Sequence, residues 1–178
     1  MSTVFADKLV CKTITLGSVE QLQPDLACQI NTLKKDYLPD LTFFALPGTC
    51  YSSTLTATIG AVKVTGTSLS GLTATPMNDI VSDPLNPSPS TLTVASVISF
   101  KNLKGQNLGK IFTQDTIVNF DDVPPPASTA LTTTKEQLVV VGGTRQFNGS
   151  NGNLTIMGNA LYQKTTLTGK ICADGDDS

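Results

Sequence analysis

The stretch Lys135 to Gly158, KEQLVVVGGTRQFNGSNGNLTIMG, constrains the fold of this chain more than any other segment. A short apolar run enters Gly142-Gly143, a turn carrying Arg145 and Phe147 follows, and further glycines lead into an alternating strand. Glycine between strand-forming runs marks a bulge, a tight bend or a close approach of two backbones. Gly142, Gly143, Gly149 and Gly152 are therefore read as a corner between two strands, with a positive φ or a bulge at Gly143. The segment is not a phosphate loop, because neither Gly-Lys-Ser/Thr nor a helix follows it.

Alternation with period two extends the strand reading over much of the remaining chain. Leu55 to Ile59 is one such run, continued after Gly60 by Val62-Lys-Val64. Leu92 to Phe100 places Leu92, Val94, Ile98 and Phe100 on one face. Gly109 to Phe120 gathers Phe112, Val118 and Phe120 on one face, and Ile111, Asp115 and Ile117 on the other. Leu138 to Val141 is continuously apolar, as expected of a strand covered on both sides. Leu154-Thr-Ile156 and Ala160 to Ile171 complete the set. Pro84, Pro87 and Pro89 mark Met77 to Ser90 as a long loop, and the three prolines of Asp121 to Pro126 mark a second. Strands at this spacing predict an all-β domain, either a closed antiparallel barrel or a β-sandwich. The first fifty residues read less clearly. Ser18 is a candidate cap for a short turn of helix, and Leu26 to Leu38 reads as a short helix or an irregular cover ended by Pro39. Residues 1–173 are read as one domain and 174–178 as a disordered tail.

Composition narrows the function. Charged residues are 15% of the 178, the net charge is −2 and Arg145 is the single arginine, so no basic stripe for nucleic acid is expected. No apolar run reaches the roughly 18 residues a membrane helix needs. The chain has no histidine, which excludes Ser-His-Asp and Cys-His catalysis and every histidine-ligated metal site. Cys11, Cys28, Cys50 and Cys172 are far apart without a CxxC, so no zinc site is expected, while disulfides and buried free thiols both stay open. The N-terminus lacks the basic start and long apolar stretch of a signal peptide. The chain is cytoplasmic if complete, or secreted if a leader has been removed; two sequons, Asn148-Gly-Ser and Asn153-Leu-Thr, lean weakly towards secretion.

Few side chains are left for chemistry. Asp115 lies within an otherwise uncharged strand and is read as outward, because Thr113 and Asn119 share its face and charged residues are seldom fully buried; turned inward it would be a carboxyl with a shifted pKa. Glu136 reads as a solvent-exposed strand start. Tyr37, Tyr51 and Tyr162 are the tyrosines, each able to donate a hydrogen bond to a substrate carbonyl from an apolar lumen. Arg145 reads as a turn brace, with carboxylate binding as its functional alternative. The candidate catalytic set is Asp115, Glu136 and Tyr162. The candidate substrate-binding set is Phe100, Phe112, Tyr37, Tyr51 and Arg145.

The Gly-Gly-Thr-Arg-Gln-Phe turn with its later glycines resembles the GGTGRF…G segment of dirigent proteins and the allene oxide cyclase-like barrels. The likeness covers Leu92 to Cys172 and is most specific over Val139 to Gly152. It departs from the dirigent pattern at Arg145, where a glycine would usually follow Gly-Gly-Thr. Asp121-Asp122 falls at the wrong place in the strand order to match the dirigent Asp-Asp pair. The resemblance implies a single eight-stranded antiparallel barrel with an apolar lumen, forming homodimers or homotrimers. It implies a cofactor-free cyclase or isomerase that folds a reactive hydrophobic molecule for ring closure or cycloaddition in secondary metabolite biosynthesis. Two other readings compete: a non-catalytic carrier of small hydrophobic ligands, and a secreted β-sandwich interaction module. An enclosed cavity with one or two buried polar groups would favour the cyclase.

Overall fold

A computed structural model describes residues 9–25, 50–72, 91–119, 134–160 and 163–174. Nine strands account for most of them: β1 (Leu9–Val19), β2 (Gln23–Pro24), β3 (Cys50–Ile59), β4 (Val62–Leu72), β5 (Thr91–Asn102), β6 (Asn107–Asn119), β7 (Thr134–Gly143), β8 (Asn151–Met157) and β9 (Thr165–Asp174). One 3₁₀ turn, Arg145–Phe147, lies between β7 and β8, and the described residues contain no α-helix. The sheet runs β1-β9-β8-β7-β6-β5-β4-β3, and β1 pairs in turn with β3. All pairings are antiparallel, so the eight long strands close into a barrel, with β2 a two-residue extension against β3. The sandwich alternative falls with this closure, since a sandwich keeps two separate sheets.

Alternation decides what faces the lumen. On β7, Thr134, Glu136, Leu138 and Val140 are buried, while Lys135 and Val139 are exposed. Ile14, Leu55, Ile98, Ile111, Leu138, Leu154 and Leu167 point inward from seven strands into one apolar core. Phe100 and Phe147 stack beneath them with ring centroids 5.2 Å apart. Burying side chains of this size contributes on the order of 1.5–3 kcal/mol each, so the filled part of the lumen supplies most of the drive for closure.

Several expectations change. Leu138 to Val141 is not covered on both faces, since Val139 is 43% exposed. The strand buried on both sides is β5: Val94, Ile98 and Phe100 face the lumen, while Ala95 and Val97 join Cys50 and Phe112 in a smaller cluster on the outer face. Ser18 caps no helix. It lies within β1, where its hydroxyl meets that of Thr56 at 3.0 Å. Asp174 is not tail but the last residue of β9, opposite Leu9. The expected helix or cover at 26–38 lies outside the described residues. Cys11 and Cys172, directly opposite on β1 and β9, form a disulfide, and Cys50 is also disulfide-bonded.

The glycine corner is present, with a different cause at Gly143. The register between β6 and β7 slips at Val141, because Phe112 faces Gly142 and Thr113 faces Val140. Gly143 itself has no positive φ. It is needed because a Cβ there would strike the Phe147 carbonyl oxygen and lie 2.7 Å from that of Lys110. The positive-φ position falls on Arg145, at 56°. That is where the dirigent pattern has its extra glycine, so this chain holds a non-glycine residue in the left-handed region at a cost of roughly 1–2 kcal/mol. Gly143→Val should destabilise the fold by more than about 1 kcal/mol through this overpacking. A chemical denaturation midpoint equal to wild type would show that the corner has room for a side chain.

Candidate functional site

Among the described residues, a cavity interrupts the barrel's filling towards each end. The larger, about 370 Å³, lies among the short turns; its walls include Val10, Lys12, Val62, Leu108 and Asp174, over a floor of Phe147 and Ile171. Its polar groups are at an exposed rim, and no buried polar atom lacking a partner lines it. The smaller, about 100 Å³, lies in the lumen towards the opposite end, among Leu55, Val94, Ile98, Leu138, Ile156 and Leu167. Polar side chains penetrate this one, which makes it the candidate site despite its size.

Those polar groups form a belt across five adjacent strands. Tyr51 on β3 lies directly opposite Ser70 on β4, and Ser70 lies opposite Ser96 on β5. The Ser70 and Ser96 hydroxyl oxygens are 2.8 Å apart. Ser96 donates its own proton to Oδ2 of Asp115 on β6, so Ser70 must be the donor between the two serines. Asp115 is paired with Leu138 on β7, and Glu136 is two residues from Leu138, on the same face. The two carboxyls are therefore diagonal neighbours, within reach of one another. Tyr51, Ser70, Ser96 and Glu136 line the cavity, and Asp115 sits behind Ser96.

Both acids point inward, against expectation. Asp115 is 3% exposed and Glu136 8%. Their strands leave no choice, because Ile111 and Thr113 on β6 and Leu138 and Val140 on β7 fix the lumen phase. Burial pushes the Asp115 carboxyl up to about 7, overcoming the opposing pull of the Ser96 hydrogen bond and of the nearby Thr113 hydroxyl. Thr113 Oγ1 and Asp115 Oδ1 are both buried without a hydrogen-bond partner. Burial, and then the neighbouring Asp115 charge, push Glu136 up to about 8. Two acids so close, in a low-dielectric site, keep a proton between them near neutral pH.

The other expected site residues scatter. Phe100 is fully buried in the core layer against Phe147 and lines neither cavity. Phe112 lies in the outer-face cluster, not in the lumen. Arg145 is exposed on the turn after β7 and is not among the described residues lining either cavity. Tyr37 and Tyr162 lie outside the described residues. Ser70 and Ser96 were missed as functional residues; their signal was a serine at an inward position of an otherwise apolar alternation. The described residues contain no group of three or more His, Cys, Asp or Glu that could hold a metal ion. The chain matches no protein-family model, no curated protein and no solved structure.

The raised carboxyls make stability depend on pH. Unfolded, these acids ionise near 3.8 and 4.5; folded, they hold their protons to about 7 and 8. The native state thus binds more protons through that window, and stability falls as pH rises from about 4 to about 8. Glu136→Gln should raise the melting temperature at pH 8 and flatten its decline between pH 5 and pH 8. An unchanged slope in a folded variant would mean that Glu136 is not a buried acid.

Proposed function

We propose that the lumen is the site of a cofactor-free cyclase or isomerase for a small, reactive, apolar molecule. The observation carrying this reading is a carboxyl pair holding a proton near neutral pH at an otherwise apolar cavity. The closed barrel and the glycine corner support the likeness to allene oxide cyclase and dirigent barrels, to which the reading also appeals. A carrier of neutral apolar molecules would need only the apolar walls, whereas the acid pair costs stability that such a carrier gains nothing from.

Shape does most of the work in this mechanism. The apolar walls hold a flexible substrate in one folded conformation, so part of the entropic barrier is met on binding. They also keep out water that would quench a reactive intermediate. Glu136, with the higher pKa, carries the proton and donates it to an epoxide or carbonyl oxygen. Asp115, held by Ser96, is the anionic member of the pair. A cavity of about 100 Å³ is smaller than the ~150 Å³ that takes up benzene in an engineered core, so it admits a very small substrate or the reacting end of a longer one. Under this reading the partner is that substrate, with the homodimer or homotrimer following from the barrel likeness alone. The disulfides favour an oxidising compartment and hence the secreted alternative.

The test offers the protein a panel of short-chain allylic epoxides and polyenes and analyses the products by chiral chromatography. Wild type should yield one enantiomer in excess. Ser96→Phe should fill the lumen and return the product to the racemic background. Glu136→Gln should retain the enantiomeric excess at a rate about 10²-fold lower. If Glu136→Gln abolished turnover while folded Ser96→Phe left it intact, a conventional acid mechanism would replace the shape-led one. Racemic product at the uncatalysed rate across the panel would end the cyclase reading.

A further inference from the structure

Among the described residues, the acid pair lacks something that buried carboxylates ordinarily have, which is a cation. Glu136 is buried at the cavity wall, and Oδ1 of Asp115 is buried without a partner. No lysine or arginine among the described residues lines the cavity. Around the pair, β1, β4, β5, β8 and β9 contribute Val19, Ser70, Ser96, Ile156 and Leu167, none of them titratable, and Tyr51 on β3 is the further titratable group in the described lining. Leaving an ionised carboxylate in such a place is costly, and a hydrogen-bonded counter-ion relieves most of that cost. The described residues supply acceptors, a cavity and apolar walls, but no donor of positive charge.

We propose that this lumen binds a small primary ammonium with a compact apolar body, with Glu136 as its counter-ion and Asp115 adding negative charge from behind Ser96. The ammonium N–H groups donate to the Glu136 carboxylate, and the alkyl body takes the space among Leu55, Ile98 and Leu138. At about 100 Å³ the cavity suits a branched alkyl amine of four or so carbons better than an aromatic one, judged against the ~150 Å³ that takes benzene. A neutral alcohol of the same shape fills the same space but offers no charge. The proposal rests on the lumen being the ligand site, as the reading above does, but not on ring closure there.

The experiment titrates the full chain with isobutylamine and, separately, with isobutanol, by calorimetry at pH 7. The amine should bind at least about tenfold more tightly than the alcohol, a charge-assisted contact against a neutral one. Glu136→Gln should remove most of that difference. A pH series on wild type needs no variant: amine affinity should climb between pH 6 and pH 9 as the pair ionises, with alcohol affinity flat. Equal binding of amine and alcohol, absence of binding by both, or a flat amine profile would each overturn the proposal. The cyclase reading fails separately, since an epoxide turned over without amine binding would leave it standing, and amine binding without any turnover would not rescue it.

Discussion

Strand β1 is hydrogen-bonded along both edges, to β9 on one side and to β3 on the other, and everything else about this molecule depends on that double pairing. Without it the sheet would have two open edges and no interior. Closure demands that β1 turn a corner, and it does so at one place. Both registers shift over Ile14 to Ser18, with Leu16 in the left-handed region at φ 50° and its side chain 85% exposed. Gly17 follows because a Cβ there would strike the Leu167 carbonyl oxygen. The Cys11–Cys172 bridge then ties β1 to β9 beyond the corner.

A closed barrel of eight strands has an interior wide enough for side chains to fill or for one small ligand to occupy. This one does some of each. Large aliphatic residues and the Phe100–Phe147 pair fill the middle layer and divide the interior into two cavities. Towards one end the inward positions become smaller and more polar: Ser70, Ser96, Thr113, Asp115 and Glu136. Replacing that belt with aliphatic residues would give a more stable core. Keeping two carboxyls there, with Oδ1 of Asp115 unpartnered, is a local conflict with fold stability that the proposed function would explain.

The barrel was legible in the sequence because period-two runs bounded by glycine and proline repeat along the chain. Strand β1 was not, for a physical reason: its buried residues are Ile14, Gly17 and Val19, and the bulge breaks the alternation by one residue. The acids were legible as candidates but were assigned the wrong side. Asp115 looked outward because Thr113 is polar, yet Thr113 is itself wholly buried in the lumen. Counting back by twos from Leu138 and Val140 would have placed Glu136 inward. Polar neighbours misled because a lumen that holds a site is not uniformly apolar. Phe112 failed with it: it lies on the face opposite Asp115, so reading Asp115 as outward put Phe112 in the lumen, whereas it packs with Ala95 and Val97 on the outer face. The relay through Ser70 and Ser96 depends on cross-strand register, which a single sequence does not encode locally.

The central claim is that a closed lumen holds Asp115 and Glu136 as a buried pair with a proton between them at neutral pH. Carboxyl-carbon NMR on protein labelled at aspartate and glutamate side chains measures this directly. Two resonances should titrate together near pH 7 and 8, and each should be lost in turn from Asp115→Asn and Glu136→Gln protein. If every side-chain carboxyl of the folded chain instead titrated in the ordinary range near 4, the acids would be solvated and the lumen would not be the site described.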